Sequence, residues 1–311
     1  MASQTYTRMS SRPVEFIRDA VNLYRVRTRD MDAQARATAE SARALDAFVA
    51  RELGSGLAGK RVLIVGTGQT LREFYAFSCL GADVTGIDID VVPLGWDLFA
   101  YYELYRNNGA VRLMKTVGRR VLGIDRAFEK ALAAQLGVTA LRQGRLLVAD
   151  ATNLPFTDGS FDVVYSFSVF EHLPDPVAVM RQVRRVLRPG GAAHISTHIY
   201  AAEGGCHDLR IFAGQREGIP YWAHLRPAHQ HTVHEDCYMN KVRLSAWEAD
   251  FTRELPGCAF RHEPHHAEFD SRLRQELVGL RAAGELPGYE DRELLTVNLI
   301  TTWKKPTAPE T

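Results

Sequence analysis

The tightest constraint on this chain is one short run and the way it ends. Arg61-Val62-Leu63-Ile64-Val65 is apolar after its first residue and stops at Gly66-Thr67-Gly68; a helical stretch from Leu71 to Leu80 follows and closes at Gly81. A strand without polar alternation is buried on both faces, which calls for a parallel sheet covered by helices on either side. The rhythm continues. Residues 83–88 read as a second strand, 145–148 as a third, 161–167 as a fourth and 192–199 as a fifth. A helix over 176–187 ends at Arg188-Pro189-Gly190-Gly191, because proline and glycine do not continue a helix. Residues 294–303 alternate and are β-branched, which predicts a closing antiparallel strand with 260–265 as its partner. The expected fold is α/β: a Rossmann-like, seven-stranded, mostly parallel sheet.

Residues 13–54 read as helix, with Ala35, Ala39, Ala42, Leu45, Phe48 and Val49 recurring at spacings of three and four until Gly54-Ser55-Gly56. This predicts an N-terminal helical cap (1–56) ahead of a main domain (57–311). Two segments interrupt the main domain. Residues 91–141 form a helical insertion with Phe99, Tyr102 and Tyr105 along one face and Arg106, Arg112, Lys115, Arg119, Arg120 and Arg126 making it locally basic. The expected arrangement is aromatics inward and basic groups solvated, as a lid or a homodimer contact; a membrane surface or an anionic acceptor is the other reading. Residues 201–255, rich in Gly, His and aromatics, form a substrate or lid segment.

Composition narrows the partners. Thirty-eight Lys+Arg against 37 Asp+Glu leave a net charge of +1, with no electrostatic footprint for nucleic acid. The four cysteines form no CxxC pair, which argues against a disulfide framework or a zinc ribbon. No apolar run reaches ~18 residues and Met1–Ser11 is polar, so neither a membrane span nor a signal peptide is expected, and the location expected is cytoplasmic.

In open parallel sheets ligands bind beyond the carboxyl ends of the strands. Gly66 and Gly68 let backbone approach a ligand at a helix N-terminus. Asp88 closes the second strand about twenty residues on, where a carboxylate accepts ribose hydroxyls. Asp150 closes the third, placed to meet an adenine amine. Leu71 occupies the position where a dinucleotide fingerprint needs a small residue, and no Gly-Lys-Ser/Thr is present. A nucleoside without phosphates fits better than a nicotinamide dinucleotide.

Those residues, with Ala149-Asp150-Ala151-Thr152-Asn153-Leu154-Pro155-Phe156, Ser160 to Ser166, Phe170-Glu171-His172-Leu173 and Leu187-Arg188-Pro189-Gly190-Gly191, resemble the successive motifs of class I S-adenosylmethionine-dependent methyltransferases, with a type 11-like core. The resemblance covers roughly residues 60–200. It implies S-adenosylmethionine as methyl donor, with Gly66, Thr67 and Gly68 at its methionine part and Asp88 at the ribose. Asp150 and Ala151 would meet the adenine, and Ser166 and Phe167 would line the sulfonium end. Thr70 replaces the family's third glycine, and the insertion lengthens the spacing from Asp88 to Asp150.

If the acceptor is a hydroxyl, a base must take its proton as the new bond forms. All eleven histidines lie between His172 and His266. His194, Ser196 and His198 share one strand face, and His198 is nearest the carboxyl end. His198, His172, or His207 with Asp208 as orienter are the candidate bases, while His194 reads as a satisfied core residue. His229, His231 and His234 with Glu235 and Asp236 have metal-like spacing without matching a zinc pattern, so a divalent metal is left open. The segment through Tyr238–Leu244 and Trp247 is more weakly similar to bacterial glycan-associated methyltransferases, and Tyr221, Trp222 and Trp247 suit sugar stacking. The expected function is O-methylation of a sugar, glycan or other polyhydroxylated small molecule. The alternatives are a lipid-like or polyketide acceptor, a non-catalytic cofactor-binding subunit, and a nicotinamide oxidoreductase.

Overall fold

The computed structural model describes residues 30–307. Of the helix expected over 13–54, the first part lies outside the described residues. Met31–Leu53 is helical and buries Ala35, Ala39, Ala42, Leu45, Phe48 and Val49, the stripe read from the sequence. Gly54 ends it in the left-handed conformation (φ 80°).

Seven strands form one sheet: β1 (Arg61–Val65), β2 (Asp83–Asp88), β3 (Arg145–Val148), β4 (Phe161–Phe167), β5 (Leu187–His198), β6 (Ala259–Glu263) and β7 (Asn298–Lys304). Their order across the sheet is β3-β2-β1-β4-β5-β7-β6. The first five pair in parallel, and β7 runs antiparallel between β5 and β6. Strand β1 is buried at all four of its apolar positions because helices cover both faces. On one face the helix Met31–Leu53 and the helix Arg72–Cys79 pack on Val62, Ile64, Val163 and Tyr165. On the other, Pro176–Val186 and Leu244–Glu254 pack on Leu63, Val65, Val164 and Ile195. Asp175 caps Pro176–Val186 by accepting from the Ala178 amide, and proline follows at the first helical position.

Three features differ from the sequence reading. Strand β7 begins at Asn298 rather than at 294, because Asp291–Leu295 is a short helix that buries Leu294 and Leu295. Strand β5 begins at Leu187 rather than at 192: Leu187 pairs with Phe161 and Ala192 with Val163, so the Pro-Gly-Gly stretch is an outpouching of the strand. Lys305 holds it through backbone bonds to Gly190 (2.8 Å) and Gly191 (2.9 Å). A further helix, Ala267–Ala282, lies where no element was expected; it buries only Leu273 and Leu277, too few apolar positions to announce it.

Candidate active site

The loop after β1 lies across the end of β2: the amides of Gly66 and Thr67 both donate to Ile87 O (2.9 and 3.1 Å). Gly66 and Gly68 have φ of 76° and 62°, a region that costs other residues energy. A Cβ on Gly66 would stand 2.3 Å from Val169 Cγ2, so only glycine lets the two loops close. Asp88 accepts from the Gly68 amide (2.9 Å) and the Asp90 amide (3.0 Å). Burial raises its pKa, and those two amides oppose the rise. Asp150 is exposed at the end of β3, with Oδ1 accepting from the Thr152 amide and hydroxyl (both 2.8 Å). Ala151 is half-buried beside it. The Thr67 hydroxyl and the Gln69 side-chain amide are buried without partners among the described residues. A glycine cradle, a fixed carboxylate and unspent polar atoms fit an adenosyl cofactor. Leu71, buried with a left-handed backbone, caps the following helix where a dinucleotide site would carry a small residue.

Two expected cofactor contacts stand elsewhere. Ser166 is fully buried, and its hydroxyl donates to Val65 O (3.0 Å), tying β4 to β1. Phe167 lines a cleft of about 580 Å³ with Phe48, Tyr165, His194 and Ser196, under the N-terminal helix. His194 is wedged there between Tyr165 and Phe48, but its Nδ1 lacks a partner among the described residues, so it is packed rather than satisfied.

The insertion consists of the helices Leu98–Val121, kinked at Gly109, and Ile124–Leu136. Its orientation reverses the expectation for the aromatics and for three of the arginines, while Arg106 and Arg126 are exposed as expected. Arg112 pairs with the buried Asp90, whose carboxylate also accepts from Asn108 Nδ2 (2.5 Å). Arg119 donates to Gln69 O (2.9 Å) and pairs with Asp125 (2.5 Å), and Arg120 donates to Pro93 O (2.5 Å). The guanidinium groups thus bolt the insertion to the cofactor loops. Trp96, Leu98, Phe99, Tyr102 and Tyr105 face outward, with Leu98 83% and Phe99 69% exposed, while Tyr101 is buried.

Beyond β5, histidines from distant parts of the chain converge. His198 Nδ1 lies 2.7 Å from His207 Nε2, and the His207 ring stands 4.9 Å from that of His172. His207 Nδ1 faces Cys237 Sγ at 3.6 Å. A carbonyl oxygen only accepts, so His172 Nδ1 must donate to Tyr238 O (2.9 Å), leaving its Nε2 lone pair free. The strap that carries Cys237 is clamped to the turn Phe170–His172: the Asn240 amide donates to Glu171 O (2.9 Å), and its side chain donates to Phe170 O (2.8 Å) and Leu173 O (3.1 Å). Because Val169 abuts Gly66, this cluster borders the cofactor loop directly. Burial lowers all three histidines, helped by neighbouring imidazoles at His198, which falls to about 3, and at His207, and opposed by the Tyr238 carbonyl at His172. Beside them Glu171 is 1% exposed, its carboxyl group has no side-chain hydrogen-bond partner among the described residues, and burial pushes its pKa up to about 8 against the pull of the Glu171 and His198 amides.

Asp208 does not orient His207. Its carboxylate caps the turn Leu209–Phe212, pairs with Arg210 (2.5 Å) and accepts from the His234 amide (2.9 Å). His229, His231 and His234 do not converge as ligands; among the described residues the groupings are His172–His207–Cys237 and Glu171–His198–His207. Trp222 and Trp247 are buried in the core, and Arg216 covers the ring of Tyr221 (4.1 Å), so none of the three offers a free face for a sugar. All four cysteines are free. Sequence reasoning passed over Glu171 and Cys237 as chemistry-bearing groups, because their partners lie tens of residues away.

The parallel sheet with its antiparallel seventh strand, the glycine loop and the carboxylate closing β2 agree with the resemblance to class I S-adenosylmethionine-dependent methyltransferases. Residues 107–195 match a family model described as a methyltransferase domain. An uncharacterized methyltransferase of Mycobacterium sp. (strain KMS) is 38% identical over 97 residues, 30% of this chain and 36% of that one. A ubiquinone biosynthesis O-methyltransferase of Pseudomonas aeruginosa (strain UCBPP-PA14) is 30% identical over 175 residues, 51% of this chain and 60% of that one. The chain thus spans less than two thirds of the length of these curated relatives. The crystal structure of the YcgJ protein from Bacillus subtilis aligns over 86% of this chain and 99% of that one, at 18% identity and a TM-score of 0.41. No helix among the described residues is long and apolar enough to cross a membrane.

Proposed function

We propose that this protein transfers a methyl group from S-adenosylmethionine to a hydroxyl of an apolar, lipid-like small molecule. When bound, the cofactor supplies an electrophilic methyl on a sulfonium. The chain's own residues do the rest. Gly66 and Gly68 admit the cofactor to the backbone, Asp88 receives its ribose, and Asp150 stands where the adenine would lie. In the cluster of His172, His198 and His207, His198 Nε2 has no partner among the described residues and offers the lone pair that takes the acceptor's proton as the new bond forms; burial keeps the imidazole neutral beforehand.

The outward apolar row of the insertion carries the choice of acceptor. Trp96, Leu98 and Phe99 are held next to the cofactor loops by the arginine bolts, which gives an apolar molecule a landing place beside the site. The O-methyltransferase relatives agree with a hydroxyl acceptor. The burial of Trp222 and Trp247 removes the main support for a sugar.

The test uses methyl-labelled S-adenosylmethionine with a catechol bearing a long alkyl tail in phosphatidylcholine vesicles, and the same catechol without the tail in water. The tailed acceptor should show a KM lower by about tenfold, near 1.4 kcal/mol of binding. Replacing Trp96, Leu98 and Phe99 by serine should erase that advantage and leave the rate on the tailless acceptor unchanged. Equal use of both acceptors by wild type, or label entering glycans instead, defeats the lipid-like reading.

A further inference from the structure

We infer that His172, His207 and Cys237 form a binding site for a late divalent transition-metal ion of the zinc class. The use of the ion in activating an acceptor rests on the methyltransferase reading; its binding does not.

One donor atom from each residue lies within 4.8 Å of the other two. For a tetrahedral zinc with Zn–S near 2.3 Å and Zn–N near 2.05 Å, nitrogen and sulfur stand about 3.6 Å apart. That is the separation found between His207 Nδ1 and Cys237 Sγ, 3.6 Å. Two nitrogens on such an ion stand about 3.4 Å apart. The 2.7 Å between His198 Nδ1 and His207 Nε2 is too short for that and is a hydrogen bond. Of the two groupings around His207, the one containing Cys237 therefore has the geometry of a ligand set.

The outer contacts point the same way. A metal-bound imidazole donates or shares its far nitrogen with a fixed partner, which sets its tautomer and direction. His172 has Tyr238 O on Nδ1 (2.9 Å), and His207 has His198 on Nε2 (2.7 Å). The nitrogens left over are His172 Nε2 and His207 Nδ1. Glu171 supplies an independent sign. Its carboxyl group is buried with no side-chain hydrogen-bond partner among the described residues and lies 4.0 Å from His172 Nε2. Burial opposes the ionised form, and a dication held beside it would stabilise that form. Two imidazoles and a thiolate favour zinc over magnesium or calcium, which take oxygen ligands. Three protein ligands leave a fourth position for water or for the oxygen of an acceptor, whose hydroxyl the ion would acidify.

The experiment measures the metal content of the purified protein and titrates the metal-free protein with cobalt(II), recording the visible and near-ultraviolet spectrum. Close to one zinc per chain is expected, with intense tetrahedral cobalt bands and a thiolate charge-transfer band that identifies the sulfur ligand in wild type itself. Cys237→Ser should lose that band, and Cys237→Ser and His172→Gln should each weaken cobalt binding by about tenfold or more. A cobalt spectrum without the thiolate band, or no retention of zinc and no cobalt uptake, overturns the site. Calorimetry with S-adenosylhomocysteine separates the two readings. Cofactor product bound without metal sinks only this inference, and metal bound without cofactor product sinks the methyltransferase reading while the site stands.

Discussion

Gly66 meets two demands at once, a positive φ and a neighbour that leaves no room for a Cβ. Gly66→Ala should weaken S-adenosylhomocysteine binding by at least about tenfold and cost roughly 1–3 kcal/mol of stability. Adding Val169→Ala removes the clash but not the backbone strain, so calorimetry should show affinity recovered only in part. Full recovery would mean that φ carries none of the effect. The positions of Gly66, Gly68, Asp88 and Asp150 at the ends of their strands were legible because a strand, its turn and the next helix fix one another within a few residues. Ser166, fully buried with its hydroxyl spent on Val65 O, shows the converse. In a strand buried on both faces, alternation does not say which residues turn toward a ligand. Asp208 was paired with His207 by adjacency, yet its carboxylate is spent on Arg210 and the His234 amide. Glu171 and Cys237 gave no signal, since the strap that unites their surroundings closes through Asn240, some seventy residues from the Phe170 carbonyl it holds.

At the scale of elements, the insertion shows how a correct helix assignment can carry the wrong orientation. Spacing alone made 91–141 helical, but it assigned water as the partner of every guanidinium. The carbonyls of Gln69 and Pro93 and the carboxylate of Asp90 compete for those groups, and they are close only once β1 and β2 are paired. Arg112→Ala leaves Asp90 buried at 4% exposure without its counter-charge, a change that costs about 3–5 kcal/mol when a buried pair is broken. Limited proteolysis should then cut within Leu98–Val121 at protease levels that leave wild type intact, and S-adenosylhomocysteine affinity should fall, because Asp90 donates to Asp88. An unchanged digestion pattern would show that the other bolts suffice. The start of β5 and the helix Ala267–Ala282 escaped the sequence for a related reason: a proline-glycine stretch and a sparsely apolar helix are both held by neighbours.

For the whole molecule, the seven-stranded, mostly parallel sheet and the N-terminal helical stripe followed from the sequence, because hydrophobic periodicity runs through every element, whereas the order of the strands did not. The buried histidines give the molecule an acid limit. Desolvation lowers His194 and His224 from 6.5 to about 4. The unfolded chain therefore takes up protons first as pH falls; the stability these groups contribute is complete above about pH 6.5 and is lost toward pH 4. Melting temperature should drop between about pH 7 and about pH 5, and drop less in a His194→Phe, His224→Gln variant. Parallel curves for the two proteins would place the acid sensitivity elsewhere. The seating of β7 between β5 and β6 has a consequence for biosynthesis. A ribosome releases β5 about a hundred residues before β7, and among the described residues β6 has no partner in the sheet but β7. Until residue 304 emerges, the nascent sheet has a bare edge at β5, the kind of edge that other chains can pair with. Sheet completion therefore waits for β7, and this stretch of synthesis is where a chaperone's cover would matter most.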